Sequence, residues 1–127
     1  MTAMRQSDYA RLLAFRTDLR RFLHWSEEQA RAAGITPAQH QLLLAIKGHA
    51  VPAGPTIGEV ADHLFARHNS VVELVDRAER SGYVRRMRDG DDHRVVHLQL
   101  TAEGEELIHA LSQAHLEELE RLGSLMR

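Results

Sequence analysis

Apolar residues recur at helical spacing in the first part of the chain. Across residues 5–32 they stand three and four positions apart, with no glycine or proline inside, and Gly34 follows as a helix stop. A second helix is predicted from Thr36-Pro37, a pair typical of a helix start, to Gly48. Its run Leu42-Leu43-Leu44-Ala45-Ile46 is apolar on almost every side, so we expect this helix to be central and buried.

Two short helices joined by a break are predicted next. Thr56 and Glu59 fit a capping box, the S/T-x-x-E signature of a helix start. After a break at residues 65–67, residues 68–81 form an amphipathic pattern with Arg67 at the N-cap position. The inward positions follow the i, i+3, i+4, i+7 spacing: Val71, Leu74, Val75 and Ala78. Two short helices with a tight connection are the geometry of a helix-turn-helix.

A charged hairpin and a last helix complete the pattern. Residues 83–88 and 94–100 are strand-like, and Asp89-Gly90 supplies a turn between them. The stretch 85–94 holds four arginines and three aspartates, and a hairpin tip projects into solvent, where arginines can reach a partner. Thr101 then caps a helix with one apolar stripe. The expected fold class is mainly α with a small β-hairpin wing, a winged helix-turn-helix.

Composition and charge narrow the range of functions. The 127 residues fit one domain, and the absence of cysteine excludes disulfides and thiolate zinc sites within the chain. No apolar run approaches the roughly 20 residues that cross a bilayer, and no secretory signal opens the chain, so we expect a cytoplasmic location without membrane association. Residues 67–94 carry seven basic and six acidic groups, so bulk charge neither supports nor excludes DNA binding.

Motifs for catalysis are missing from the sequence. There is no Ser/His/Asp spacing, no glycine-rich phosphate loop and no pair of carboxylates in an apolar context. We therefore expect no enzymatic activity and no cofactor.

Three motifs resemble those of the MarR family of bacterial transcription regulators. Residues 74–84, LVDRAERSGYV, resemble the end of its recognition helix. Residues 89–94, DGDDHR, followed by Leu100-Thr101-Ala102-Glu103-Gly104, resemble its wing, and residues 35–39, ITPAQ, resemble the start of its second helix. Three positions depart from the family pattern: glycine replaces the usual wing proline at position 90, histidine replaces an arginine at position 93, and Arg67 stands at the helix cap where Ser or Asp is common. The two wing changes predict a more flexible tip and one pH-dependent wing charge.

The resemblance implies a homodimer bound to double-stranded DNA at a pseudo-palindromic operator. Recognition helices would enter successive major grooves and wings would reach the minor groove. Within one domain of residues 1–127, it implies a DNA-reading lobe at 36–100 and dimerisation helices at 5–33 and 102–127. Repression is the commoner mode in such families, and many members release DNA when a small aromatic ligand binds between the dimerisation region and the DNA-reading lobe.

The candidate DNA-binding residues lie on the second short helix and on the wing. Asn and His can donate to base edges, Ser can bind phosphate, Glu can accept from cytosine, and Arg can pair with phosphate. The predicted set is Arg67, His68, Asn69, Ser70, Glu73, Arg77, Arg88, His93 and Arg94. The resemblance suggests that Asp92 orients a neighbouring arginine, because a carboxylate facing phosphates would repel them. The alternative for these residues is a solvated helix face and surface salt bridges.

Aromatic residues and histidines raise two further hypotheses. Four residues could line a pocket for a small aromatic ligand, although aromatics at helical spacing are more often core: Phe15, His24, Trp25 and His40. The nine histidines raise the hypothesis of a metal-gated regulator, but no H-E-x-x-H motif occurs, so surface histidines are favoured and no metal ligand is assigned. The alternative function from another class is a helical protein–protein interaction module that has the fold without DNA binding.

Overall fold

The computed structural model of the protein describes residues 3–88, 90–91 and 94–125. Along the chain its elements are α1 (Gln6–Ala32), α2 (Pro37–Gly48), α3 (Ile57–Leu64), α4 (His68–Arg80), β1 (Val84–Arg88), β2 (Val96–Leu100) and α5 (Ala102–Leu125). This order confirms the predicted fold class of helices with one β hairpin. Within the described ranges, none of the helices combines the length and the hydropathy needed to span a membrane.

Local side-chain chemistry sets the helix boundaries as predicted. Gln39 N donates to Thr36 Oγ1 at 3.1 Å and Thr36 N donates to Gln39 Oε1 at 3.0 Å, which caps α2. Thr56 and Glu59 make the same reciprocal pair at the start of α3, at 3.2 and 3.0 Å. Gly34, just after α1, has φ +85°, a left-handed conformation that glycine adopts without strain.

The hydrophobic core is centred on α2, which packs against α1, α3, α4, α5 and β2. Its buried side chains come from each of these elements, among them Ala30, Leu42, Leu43, Ile46, Val60, Val71, Val75, Leu98, Ile108 and Leu111. The predicted central position of α2 is confirmed, although Leu44 of its apolar run is 49% exposed. Helical spacing turns Leu44 away from the direction shared by Leu42 and Ile46, so it misses the core.

The hairpin is anchored to the loop before α3. β1 and β2 pair antiparallel, from Val84 opposite Leu100 to Arg88 opposite Val96. Leu98 N donates to Pro55 O at 2.8 Å, and His97 Nδ1 donates to Gly54 O at 2.8 Å. Because a two-stranded ribbon is marginal by itself, these bonds and the buried Leu98 side chain hold the wing at a fixed orientation on the helices.

Helix α1 leaves most of its apolar residues in solvent. Ala30 is its buried residue within the described range. The exposed apolar residues of α1 include Tyr9, Leu12, Leu13, Phe15, Leu19 and Leu23, and α5 adds Leu116 and Leu119. Each of these side chains is 47–66% exposed. The single chain therefore leaves many apolar side chains of α1 and α5 exposed to solvent.

Candidate nucleic-acid interface

Helix α4 turns an apolar face to the core and a polar face to solvent. Val71, Val75 and Ala78 are buried one helical turn apart. Arg67 is the N-cap residue, as expected, but its side chain makes no capping hydrogen bond and is exposed. The predicted DNA-binding residues of this helix are also all exposed: His68, Asn69, Ser70, Glu73 and Arg77. The solvent-facing placement that the sequence predicts for them is present, and their contact with DNA stays a prediction.

Arg86 joins the wing to α4. Its guanidinium donates from Nη2 to Asp76 Oδ1 at 2.8 Å and from Nη1 to Glu79 Oε1. Burial lowers the pKa of Arg86, but its hydrogen bonds and charge pairing with Asp76 and Glu79 outweigh burial and raise it above the usual value. Arg86 therefore positions β1 on α4 and partly neutralises two carboxylates there. Sequence patterns did not predict this role, because it depends on how β1 packs on the end of α4.

The wing arginines named from the sequence lie near the tip of the hairpin. Arg88 is the last residue of β1, opposite Val96, and Arg94 precedes β2. Both side chains are exposed, as are Gly90 and Asp91. The predicted DNA-binding role of His93 and the orienting role of Asp92 fall outside the described residues.

The wing-to-helix motif has a direct structural reason. Thr101 Oγ1 donates to Gly82 O at 2.5 Å and accepts from Gly104 N at 3.1 Å, while Thr101 N donates to Tyr83 O at 3.0 Å. A Cβ on Gly104 would stand 2.2 Å from Tyr83 O, closer than packed atoms approach. The threonine and the glycine together lock the end of α4, the wing and the start of α5.

The turn between α3 and α4 carries an exposed aromatic ring. Phe65 has φ +51° and is 99% exposed. Its backbone N–H bonds to the carbonyls of Ala61 and Asp62 hold it at the end of α3. A bulky residue with positive φ is uncommon and marks a place to look for function. The sequence pattern, which showed only a break here, gave no sign of it.

The four residues proposed for a ligand pocket do not meet at one place. Trp25 and His40 both contact His115, with ring centroids 4.8 and 4.7 Å away. His24 instead points to solvent and pairs with Glu28 at 2.6 Å, because its position on α1 faces away from α5. Phe15 lies nearer the start of α1. It is half exposed, in a groove that it shares with Leu119. Of the four, the structure brings Trp25 and His40 together beside His115, and ligand binding stays a prediction.

His115 on α5 is the member of this cluster that the sequence did not single out. Its Nδ1 donates to Leu111 O at 2.7 Å, and its Nε2 lies 2.7 Å from Ser26 Oγ. Burial, and then the charge of His115, lower the pKa of His40, which is 5% exposed. The sequence pattern did not indicate a role for His115, because α1, α2 and α5 come into contact only in the folded chain.

A second group of titratable side chains links α2 to α3. His49 Nδ1 lies 3.3 Å from His63 Nε2, and His49 Nε2 lies 3.3 Å from Glu59 Oε2. Across the part of the chain that the structure describes, no three His, Cys, Asp or Glu side chains are arranged to hold one metal ion.

Comparison with known proteins identifies the family. The model of the MarR family matches residues 33–95. The HTH-type transcriptional repressor MdtR of Bacillus subtilis is 31% identical over 78 residues, covering 61% of this chain and 48% of MdtR. The HTH-type transcriptional regulator PecS of Dickeya dadantii is 26% identical over 83 residues, covering 65% of this chain and 50% of PecS. The chain thus spans about half the length of the curated relatives it matches.

Solved structures show the same fold. A MarR family protein from Bacillus stearothermophilus superposes with a TM-score of 0.79 at 26% identity, over 94% of this chain and 82% of that one. The MepR–DNA complex of S. aureus superposes with a TM-score of 0.75 at 23% identity, over 97% and 85%. The predicted winged-helix fold is therefore confirmed, and the curated relatives are regulators of transcription rather than enzymes. On the match of the family model, of these relatives and of the fold, residues 33–95 of the chain belong to the MarR family.

Proposed function

We propose that the protein is a sequence-specific DNA-binding transcription regulator that binds a pseudo-palindromic operator as a homodimer. Recognition helix α4 enters the major groove, and the β1–β2 wing reaches the neighbouring minor groove. The proposed contacts are those of the exposed residues Arg67, His68, Asn69, Ser70, Glu73, Arg77, Arg88 and Arg94. Action on chromosomal DNA accords with the cytoplasmic location expected from the sequence.

The observation that carries this proposal is the geometry of α4. One face is fixed in the core through Val71, Val75 and Ala78, and the opposite face offers hydrogen-bonding side chains over about three turns. A helix held rigidly on one side and polar on the other can fill a groove about 12 Å wide without rearranging. Relatives support the reading, since one is named a repressor and a solved neighbour is a complex with DNA.

The charge near α4 is nearly balanced, so its arrangement rather than its sum must favour DNA. Residues 67–94 hold seven basic and six acidic groups, which leaves one net positive charge. Arg86 pairs with Asp76 and Glu79, so these two carboxylates are partly neutralised beside the proposed DNA surface. This pairing reduces the local repulsion that phosphates would meet there.

Dimerisation is proposed from the uncovered apolar surface of α1 and α5. Leu12, Leu13 and Leu23 are 58%, 66% and 49% exposed, and Leu116 of α5 is 61% exposed. An apolar surface of this extent is usually covered by a partner. A second copy is the partner that also doubles α4, which a two-fold operator requires.

Repression and release by a small aromatic effector are the finer parts of the proposal. Repression is supported by the name of the relative MdtR. For the effector, Trp25 and His40 beside His115 lie between α1, α2 and α5, which is where a ligand would act on the dimerisation helices and the DNA-reading lobe together.

The experiment is a binding titration with the DNA that flanks the gene of this protein. Fluorescence anisotropy should give a dissociation constant at least about 1,000-fold tighter for one inverted repeat than for shuffled DNA at physiological salt. The stoichiometry should be two chains per site. Equal affinity for both DNAs would overturn the proposal and favour the interaction module that has the fold without reading DNA.

A further inference from the structure

Two histidines are in contact where three helices meet. His40 on α2 and His115 on α5 have ring centroids 4.7 Å apart at an interplanar angle of 49°. Trp25 of α1 also contacts His115, with ring centroids 4.8 Å apart. The contact thus joins the two helices proposed for dimerisation to the first turns of α2, the helix on which α3 and α4 pack.

The hydrogen bonds of His115 allow it to carry a proton. The carbonyl of Leu111, 2.7 Å from Nδ1, can only accept, so Nδ1 holds a hydrogen. Ser26 Oγ, 2.7 Å from Nε2, donates to the neutral ring and accepts from the charged one. His115 therefore keeps both bonds whether it is neutral or charged.

His40 is in the opposite situation. It is 5% exposed, and its ring packs against the ring of His115. A proton on His40 would be desolvated and would face a second imidazole at 4.7 Å. Burial and His115 accordingly lower the pKa of His40.

The charged groups on the surrounding helices are engaged elsewhere. On α1, His24 pairs with Glu28 at 2.6 Å and Arg31 with Glu27 at 3.9 Å. On α5, Glu118, one turn past His115, is held by Arg121, and His109 is exposed. At the far end of α2, Lys47 pairs with Glu105 at 2.8 Å. None of these described pairs places a carboxylate against His40 to balance a charge there.

We propose that His40 and His115 form a proton-sensitive contact that holds α2 against α1 and α5 while it carries at most one proton and opens when it takes up a second. Its effect on DNA rests on the proposed function. Because α2 also packs against α3 and α4, a shift of its first turns changes how the two recognition helices are presented. Mild acid then releases the operator.

The lowered pKa of His40 predicts that the folded protein loses stability in acid. The folded pKa of His40 lies below the ordinary value of 6.5, so the neutral pair contributes its full stability above pH 6.5. That contribution is lost as the pH falls from 6.5 toward the folded value, because the unfolded chain takes up the proton more readily.

The first test needs no DNA. Imidazole resonances of the full chain are followed by NMR from pH 8 to 5, and unfolding free energies are measured over the same range. We expect His40 to titrate below the ordinary range, and wild type to lose stability in acid where His40→Phe does not. Phenylalanine keeps the ring contact without a proton site. Should His40→Phe fold poorly, His115→Phe should raise the pKa of His40 toward the ordinary value. Ordinary titration of His40 in wild type would overturn the proposal.

The second test measures operator affinity at pH 7.5 and 5.5. At pH 5.5, one unit below the ordinary value of 6.5, wild type should lose up to about tenfold in affinity per chain relative to His40→Phe. His109→Gln, which removes an exposed histidine of α5, should behave like wild type. Equal acid loss in wild type and His40→Phe would contradict the proposal. If no DNA is bound at any pH, the proposed function fails while the NMR titration still decides the contact.

Discussion

Gly104 stands at the first turn of α5, directly against the backbone of the turn after α4. A Cβ there would lie 2.2 Å from Tyr83 O and 3.1 Å from Tyr83 C. Since both obstacles are backbone atoms, the wing or α5 must move to admit it. We predict that Gly104→Ala lowers the free energy of unfolding by about 1–3 kcal/mol, measured by urea denaturation.

Gly48 supplies the matched control for that substitution. It ends α2, and a Cβ added there meets no atom within 4 Å. Gly48→Ala should leave stability unchanged or raise it by up to about 1 kcal/mol, because alanine loses less entropy in a helix. Equal effects of the two substitutions would contradict the close approach of α5 to Tyr83.

Arg86 forms the ion pairs that join the wing to α4, the proposed recognition helix. Its side chain is 28% exposed and binds both Asp76 and Glu79. We predict that Arg86→Ala lowers the free energy of unfolding by about 1–2 kcal/mol and weakens DNA binding, because two carboxylates lose their partner. Arg80→Ala, which removes an exposed arginine from α4, the helix that carries Asp76 and Glu79, should leave stability within about 0.5 kcal/mol of wild type. A wild-type stability for Arg86→Ala would show that the wing needs no such link.

At the scale of elements, the wing is expected to add affinity without reading bases. Arg94→Ala should weaken binding across all DNA sequences and reduce the slope of log K against log salt by about one phosphate contact. Arg21→Ala, on the exposed side of α1, should leave that slope unchanged. An unaltered affinity of Arg94→Ala at low salt would remove the wing from the DNA interface.

Helix α1 is expected to fail as a dimerisation element when its apolar surface is charged. The double variant Leu12→Glu, Leu23→Glu should sediment as a monomer and lose operator binding, because a single recognition helix covers only half of the site. Ala10→Glu adds a charge on the opposite side of α1 by helical spacing and should remain dimeric. A dimeric double variant would place the interface elsewhere.

The elements that the sequence predicts well are those with local causes. Thr36 and Thr56 start helices through hydrogen bonds to residues three positions on. Gly34 and Gly82 follow helix ends with positive φ. Each of these boundaries depends on a few neighbouring residues, so the sequence predicts it. The exposure of Leu44 was not predicted, because a helix with apolar residues on all sides does not indicate which side packs against the core. The polar face of α4 was predictable because Val71, Val75 and Ala78 leave it facing out by spacing alone.

At the scale of the whole molecule, the missed features are contacts between elements. Arg86 of β1 meets Asp76 of α4, 10 positions away, and His115 of α5 meets Ser26 of α1, 89 positions away. No periodicity along the chain predicts either contact. The sequence also did not show which of the neighbours His24 and Trp25 contacts α5, because this depends on where α5 packs on α1. The fold brings these contacts together around α2, which links the dimerisation helices to the recognition helix.

The central claim is that two copies of α4 and of the wing read one two-fold DNA site. Hydroxyl-radical footprinting on a selected operator tests it most directly. Two protected half-sites should appear with centres about one helical turn, 10–10.5 base pairs, apart, flanked by minor-groove protection from the wings. The outer protection should vanish with Arg94→Ala while the half-sites remain. A single half-site, or uniform protection without a two-fold pattern, would contradict the account.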